Sequence, residues 1–207
     1  MSHKRHIITA AAASLLLPAA TQAEELEIGL GLGISAGQSI YRGVDTQYQA
    51  IPLLNLQYGA FYLEGFEAGY QIADNDRFNL YAALAADSLD GERTDGDLLD
   101  DLGDADSGVN LKLGGEFYTP AGILGGYIAQ DVSDEHEGTE LNLSWAVPTK
   151  LAGVQLKPAV YATWMSDELT NHYYGVSAAN SRPGRAAYTA DSGWRYGVEV
   201  MAQYPPV

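Results

Sequence analysis

The 207-residue chain reads as an all-β protein, an antiparallel up-and-down transmembrane β-barrel with about nine strands visible and roughly 10–12 expected in a complete one. Three observations carry that reading. Segment after segment alternates apolar with polar or small residues, a period of two that a strand produces and a helix does not. The clearest segments run about 9 to 13 residues, close to the ~9 to 11 that a tilted strand needs to cross a bilayer. Tight turns and long polar connections take turns along the chain, as they do in bacterial barrels.

The first 23 residues resemble a secretory signal: Lys4 and Arg5 in a basic start, an apolar stretch over residues 7–17, and Thr21-Gln22-Ala23 as a small-residue cleavage site. The expected division is therefore a signal peptide over 1–23 and an outer-membrane barrel domain over 24–207. The apolar stretch is too short to span a membrane as a helix, and no other uncharged apolar run reaches ~18 residues. Loss of Lys4 and Arg5 leaves nine basic against 27 acidic residues, a formal charge of −18 that argues against nucleic acid as a partner. With no cysteine in the sequence, a disulfide framework and thiol chemistry are excluded.

Residues 25–35 set Leu26, Ile28, Leu30, Leu32 and Ile34 on one face and Glu27, Gly29, Gly31 and Gly33 on the other, small residues that suit a crowded interior. Strands over 51–58 and 61–72 follow, the second without clean alternation and open to a break at Gly65 or Gly69. After the turn Ala73-Asp74-Asn75-Asp76, residues 77–86 put Phe78, Leu80, Ala82 and Leu84 opposite Arg77, Asn79 and Tyr81. Residues 109–118 set Val109, Leu111, Leu113 and Phe117 against Asn110, Lys112 and Glu116, and Thr119-Pro120-Ala121-Gly122 turns the chain into a partner strand over 123–132. A second hairpin occupies 138–165. Leu141, Leu143, Trp145 and Val147 oppose Glu140, Asn142 and Ser144, a turn spans 148–153, and Val154, Leu156, Val160, Ala162 and Trp164 oppose Gln155, Lys157, Tyr161 and Thr163. The last strand, 194–204, sets Trp194, Tyr196, Val198, Val200 and Ala202 against Arg195, Glu199 and Gln203. No helix is expected. Trp145, Trp164 and Trp194 sit near strand ends, where a membrane-water interface accommodates amphipathic rings.

Two connections are long. Residues 87–106 carry nine carboxylates (Asp87, Asp90, Glu92, Asp95, Asp97, Asp100, Asp101, Asp104 and Asp106) against Arg93 alone. A solvated loop extended by self-repulsion is the preferred reading; a calcium site is the alternative, although the spacing matches no EF-hand loop. No cofactor is expected. Residues 166–192 hold His172, Tyr173, Tyr174, Arg182, Pro183, Arg185 and Tyr188, a mixture suited to an ordered, functional loop.

The run Tyr173-Tyr174-Gly175-Val176-Ser177-Ala178-Ala179-Asn180-Ser181, continuing to Tyr188 and Gly193, resembles the loop signature of the MipA/OmpV family, the MltA-interacting outer-membrane proteins. Ile51-Pro52-Leu53-Leu54 with Tyr58 and Gly69-Tyr70 resembles that family's early strands, and Leu102-Gly103-Asp104 before Val109 its acidic-loop exit. Gln130-Asp131-Val132-Ser133 with Gly138, and residues 158–164, are similar to it as well. The resemblance implies an outer-membrane barrel in contact with outer-membrane lipid. For the name-giving members it implies a scaffold between a lytic transglycosylase and a peptidoglycan synthase, while other members have been treated as porin-like channels or adhesins. The resemblance makes Tyr173, Tyr174, Gly175, Val176, Ser177, Arg182, Arg185 and Tyr188 the candidate partner-binding residues. Family members continue into further strands and close on an aromatic residue, whereas this chain stops at Tyr204-Pro205-Pro206-Val207, so a C-terminally incomplete barrel is expected.

An enzyme is not expected. A hydrolytic barrel would need a histidine beside a Ser, Asp or Glu at its rim. The candidates are His136 with Asp134 and Glu135, and His172 with Asp167, Glu168 and Ser166, each read as a plain exposed histidine. No Gly-x-Ser-x-Gly, HExxH or phosphate-binding glycine loop occurs. With short turns periplasmic, 74–76, 119–122 and 148–153 face the periplasm and the 87–106 and 166–192 loops face outward. Counting back on that basis leaves the first strand starting outside. One crossing is therefore missing, and 65–69 is the expected place, splitting 61–72 in two.

Overall fold

The structure, a computed structural model, describes residues 26–37, 47–87, 102, 105–151 and 154–203. The expected signal peptide, and Asp90 to Asp101 and Asp104 of the acidic loop, lie outside them. Among the described residues the chain forms β1 (Leu26–Gly37), β2 (Gln47–Tyr58), β3 (Phe61–Glu64), β4 (Glu67–Asp74), β5 (Phe78–Ala86), β6 (Val109–Thr119), β7 (Gly122–Asp131), β8 (Thr139–Ala146), β9 (Thr149–Leu151), β10 (Val154–Met165) and β11 (Gly193–Gln203). They make one antiparallel sheet in the order β1-β2-β3-β4-β5-β6-β7-β8-β10-β11, with β9 paired to the start of β10. This is the up-and-down meander of a transmembrane barrel, and among the described residues no helix is long and apolar enough to cross a membrane. Among the described residues β1 and β11 are not paired to each other.

The strand faces are inverted relative to a water-soluble domain. Leu143 is 66% exposed and Val198 80% exposed, whereas Thr163 is fully enclosed and Glu140 only 7% exposed. The apolar set at every second position thus faces outward, as lipid requires, and the polar set lines the inside. Three inward tyrosines, Tyr62, Tyr81 and Tyr161, each stand directly across the ladder from a glycine: Gly69, Gly114 and Gly197. A Cβ on those glycines would meet the facing ring at 2.4, 2.5 and 2.3 Å, so the rings lie flat over bare backbone. Lys112 Nζ pairs with Glu67 at 2.6 Å, Tyr62 donates to the same carboxylate at 2.6 Å, and Lys157 pairs with Glu116 at 3.2 Å. The Lys112 ammonium also lies 4.1 Å from the centre of the Tyr127 ring, whose hydroxyl donates to Glu140. The described inner face is therefore lined by the protein's own polar side chains, paired with one another.

The structure corrects the strand count in two places and the absence of helices in a third. Residues 61–72 are two elements: β3 and β4 turn at Gly65-Phe66, within the expected break, and Gly65 takes the left-handed backbone (φ 56°) that a side chain would strain. With that split, β1 starts on the side of the short turns, since Leu26 pairs with Tyr58 and Tyr58 with Phe61. β3, at four residues or roughly 13 Å, is too short to cross the apolar band. Residues 148–153 are not a simple turn, because Thr149–Leu151 forms β9 and pairs with residues 154–156 before β10 reaches β8. Finally, the 166–192 loop contains an eight-residue helix, α1 (Asp167–Tyr174), and a 3-10 turn (Ala178–Asn180). Helical periodicity over two turns is too short to register against a background of strands.

Candidate functional site

The residues brought together from furthest apart in sequence lie at the end of the sheet that carries the long loops. Ser166, directly after β10, caps α1: its Oγ accepts from the Leu169 amide at 3.4 Å and from the Thr139 amide at 3.1 Å. The cap turns the chain inward, and Met165, Leu169 and Tyr173 form a small buried apolar cluster with Ala105 and Tyr174 against it. Thr170 Oγ1 donates to the Asp191 carbonyl at 2.8 Å, tying the helix to the far end of its own loop.

Tyr173, 1% exposed, donates its hydroxyl to Asp87 at 2.6 Å. Asp87 stands one residue beyond β5, and its carboxylate also accepts from the Gly108 amide at 2.8 Å, from Asn110 Nδ2 and from His136 Nε2 at 3.1 Å. His136 Nδ1 accepts from the Gly138 amide at 2.9 Å, which assigns the ring proton to Nε2 and makes it a donor to Asp87. The carboxylate thus has four donors from three parts of the chain, and its side chain is 2% exposed. Burial alone would push the Asp87 carboxyl up; the bonds from Tyr173, Gly108, Asn110 and His136 outweigh it and hold it below the ordinary carboxylate range.

The loop that presents His136 is built by Asp131. Its carboxylate accepts from the amides of Ser133, His136 and Glu137, each at 2.8 Å, and from Ser133 Oγ at 2.6 Å. Asp134 and Glu137 take left-handed backbone (φ 62° and 56°), held there by these bonds. Both histidines differ from the expected plain exposed residues. The His136 side chain is 1% exposed and its partner is Asp87 rather than Asp134 or Glu135. His172 Nε2 lies 2.9 Å from the Asp106 carbonyl, and its ring is 5.5 Å from that of His136. Among the described residues no group of three or more His, Asp or Glu is placed to hold a metal ion.

The signature residues fold the loop over this cluster. Tyr173 is in it and Tyr174 flanks it. Gly175 ends α1, donating to the Asn171 carbonyl at 2.8 Å, and Val176 and Tyr188 exchange backbone bonds of 2.7 and 2.9 Å. Ser177 precedes the 3-10 turn, Arg182 bridges to Arg185, and Arg185, 7% exposed, donates from Nε and Nη2 to the Asn180 carbonyl at 3.1 and 2.5 Å. Tyr188 is exposed. The tryptophans divide between the two ends: Trp145 lies next to the last residue of β8, whereas Trp164 and Trp194 pair across β10 and β11 at the long-loop end. Sequence reasoning missed Asp87 as the hub, Asp131 as the organiser of its loop and Ser166 as the cap. Only Ser166, a serine followed by Asp-Glu, carried a local signal.

An antiparallel meander with an apolar exterior, a polar interior and loops gathered at one end defines an outer-membrane β-barrel protein. The chain belongs to the MipA family, described as MltA-interacting protein MipA, which matches residues 30–206. It is 27% identical over 192 residues to YiaT of Escherichia coli (strain K12), named as an outer membrane protein, covering 91% of this chain and 78% of that one. It is 24% identical to the MltA-interacting protein of Escherichia coli (strain K12), covering 87% of this chain and 74% of that one. It is 22% identical to outer membrane protein Omp26La of Vibrio anguillarum, covering 84% and 68%. The outer membrane is the location these relatives support. No solved structure matches.

Proposed function

We propose that the protein is a non-enzymatic scaffold of the outer membrane that binds a lytic transglycosylase and, by family resemblance, links it to a peptidoglycan synthase. The observation that carries this reading is the crowded interior face: Lys112-Glu67, Lys157-Glu116 and the flat-lying tyrosines occupy it, and Tyr173 of α1 is bonded to Asp87 at its long-loop end. A barrel so lined acts through its surfaces. Both His136 ring nitrogens are engaged, and the Ser133 and Ser166 hydroxyls serve backbone amides, which leaves this cluster without a free base beside a free nucleophile. With the short turns periplasmic, the transglycosylase meets the 74–76, 119–122 and 148–153 turns.

A porin-like channel is the second reading, favoured by a cavity of about 210 Å³ with a mixed lining, Glu67, Asp87, Asn110, Lys112 and Glu140 beside Phe66 and Ala129. Planar-bilayer recording of the full chain separates the two. The scaffold reading expects no steady current and co-purification with the transglycosylase from solubilised envelopes; a steady ohmic current overturns it. Ser107→Cys and Ser181→Cys are expected to react with an impermeant thiol reagent on whole cells, and Thr119→Cys and Thr149→Cys are not. The reverse pattern would turn the long-loop rim towards the peptidoglycan.

A further inference from the structure

We infer that the outward face of β1 to β6 carries a site for one acyl chain of a membrane phospholipid: an almost wholly apolar furrow of about 540 Å³, within the size range of ligand cavities. The strand register builds it. One bank is the outward row that runs from Leu26 and Tyr58 through Tyr70 to Ala82, and the other is the next outward row, from Leu56 through Ala68 to Leu111. Between the rows Tyr62 and Ala83 turn their side chains inward and Gly69 has none, so their backbone is the floor. Ala68 stands between Leu63 and Leu84, and Ala82 between Tyr70 and Leu113, so each cuts its bank down to a methyl group. The two alanines lie on adjoining strands and on opposite banks, which widens the furrow where they face each other.

The direction of the furrow suits a lipid chain. Its first bank starts beside Tyr58, the last residue of β2 at the short-turn end, and the same row continues across the sheet through Leu141 and Trp164 to Trp194, near the start of β11 at the long-loop end. A row of the sheet therefore climbs the wall obliquely, taking eight strand-to-strand steps from one end to the other. The furrow takes five such steps, about 24 Å at ~4.8 Å each. Against an apolar band about 25 Å tall it rises about 16 Å, close to the ~15 Å of hydrocarbon in one leaflet. Its width is the gap between two rows, roughly 7 Å, which admits a hydrocarbon chain but neither a helix about 10 Å across nor the convex wall of a second barrel. Tyr58 sets the headgroup at the short-turn end, because an amphipathic ring belongs at the membrane-water interface. A chain in the furrow touches protein on both flanks and beneath, where one against a plain wall touches it on one side, so it is held longer than its neighbours. The inference rests on the outer-membrane location alone and holds for scaffold and channel alike.

The test uses the full chain in vesicles of phosphatidylethanolamine and phosphatidylglycerol, transferred to mild detergent and weighed intact by native mass spectrometry. The unaltered chain is expected to keep the mass of one phospholipid. Ala68→Leu and Ala82→Phe each fill the furrow from a different bank and are expected to lose that mass. Val160→Phe, which adds a ring on the outward face of β10 away from the furrow, is expected to keep it. Heat-modifiable gel migration shows which variants are folded, and a folding defect in one furrow variant leaves the other to decide. An unaltered chain that is bare, or that travels as two chains without lipid, overturns the site, as does a phospholipid kept equally by the folded furrow variants and Val160→Phe.

Discussion

The two ends of the barrel are stitched by opposite means. At the short-turn end the bonds are local: Asn75 Oδ1 accepts from the Arg77 and Phe78 amides at 2.9 and 3.2 Å, and Thr119 Oγ1 donates to the Gly122 carbonyl at 2.7 Å while accepting from the Ala121 amide at 3.2 Å. At the long-loop end the joining residues are 49, 66 and 86 positions apart: His136 to Asp87, His172 to Asp106, Tyr173 to Asp87. Local stitching closes as soon as adjacent strands pair. The distant joint forms only when β5 to β10 are in place, because loop-closure entropy must be offset by several bonds made at once. The turns therefore belong to the wall, whereas the rim is a separable layer upon it.

The comparison breaks most severely through the wall that both ends share. Leu143→Asp or Val198→Asp places a charge on the outward face at a cost of roughly 2–4 kcal/mol, and loss of heat-modifiable gel migration is expected for either. Unchanged migration would reverse the face assignment.

Asp87→Ala separates the two layers. It leaves the Tyr173 hydroxyl, Asn110 and His136 buried without their acceptor, about 2–3 kcal/mol, borne at the rim alone. Limited proteolysis within 166–192 is expected to accelerate while the urea midpoint of the wall stays put. A midpoint that falls equally would show that rim and wall are one cooperative unit.

Gly122→Ala attacks the other end. Gly122 has φ 131°, and a Cβ there would lie 2.4 Å from the Ala146 carbonyl oxygen, so a cost of about 1–3 kcal/mol is expected in the wall midpoint with no change in loop cleavage. Asn75→Ala, which removes one turn-capping oxygen, is expected to lower the same midpoint by about 1 kcal/mol.

The smallest effect is that of mild acid. The Asp87 carboxyl is held below its ordinary range, so its contribution is complete above the unfolded value of ~3.9 and is lost only as pH falls through the lower folded value. Amide protection over 167–174, relative to the intrinsic exchange rate at each pH, is expected to be the same at pH 7 and pH 5 and to be lost only in strong acid.

Much of the wall was legible from the chain. Alternation such as Leu141, Leu143 and Trp145 against Glu140, Asn142 and Ser144 states both strand and face, because the pleat leaves a side chain two choices and lipid takes the apolar one. The loss of alternation over 61–72 even marked where β3 and β4 divide, since a turn interrupts the period. β9 escaped because three residues display no period, and α1 because its buried face is only Leu169, Thr170 and Tyr173. The signature run was recognisable as a pattern, but not what Tyr173 touches.

What the sequence by itself determined is the meander: strand order follows chain order, and each hairpin with a short turn depends on residues a few positions apart. What only the tertiary structure decided is the rim. Asp87 stands in a stretch of nine carboxylates with nothing local to set it apart, and the His136 ring bonds Asp87 rather than its chain neighbours Glu135 and Glu137. Sheet curvature and the inward turn at Ser166 bring a tyrosine, an asparagine, a backbone amide and an imidazole to one oxygen pair, and a burial that would cost a lone carboxylate its charge becomes favourable once four donors surround it.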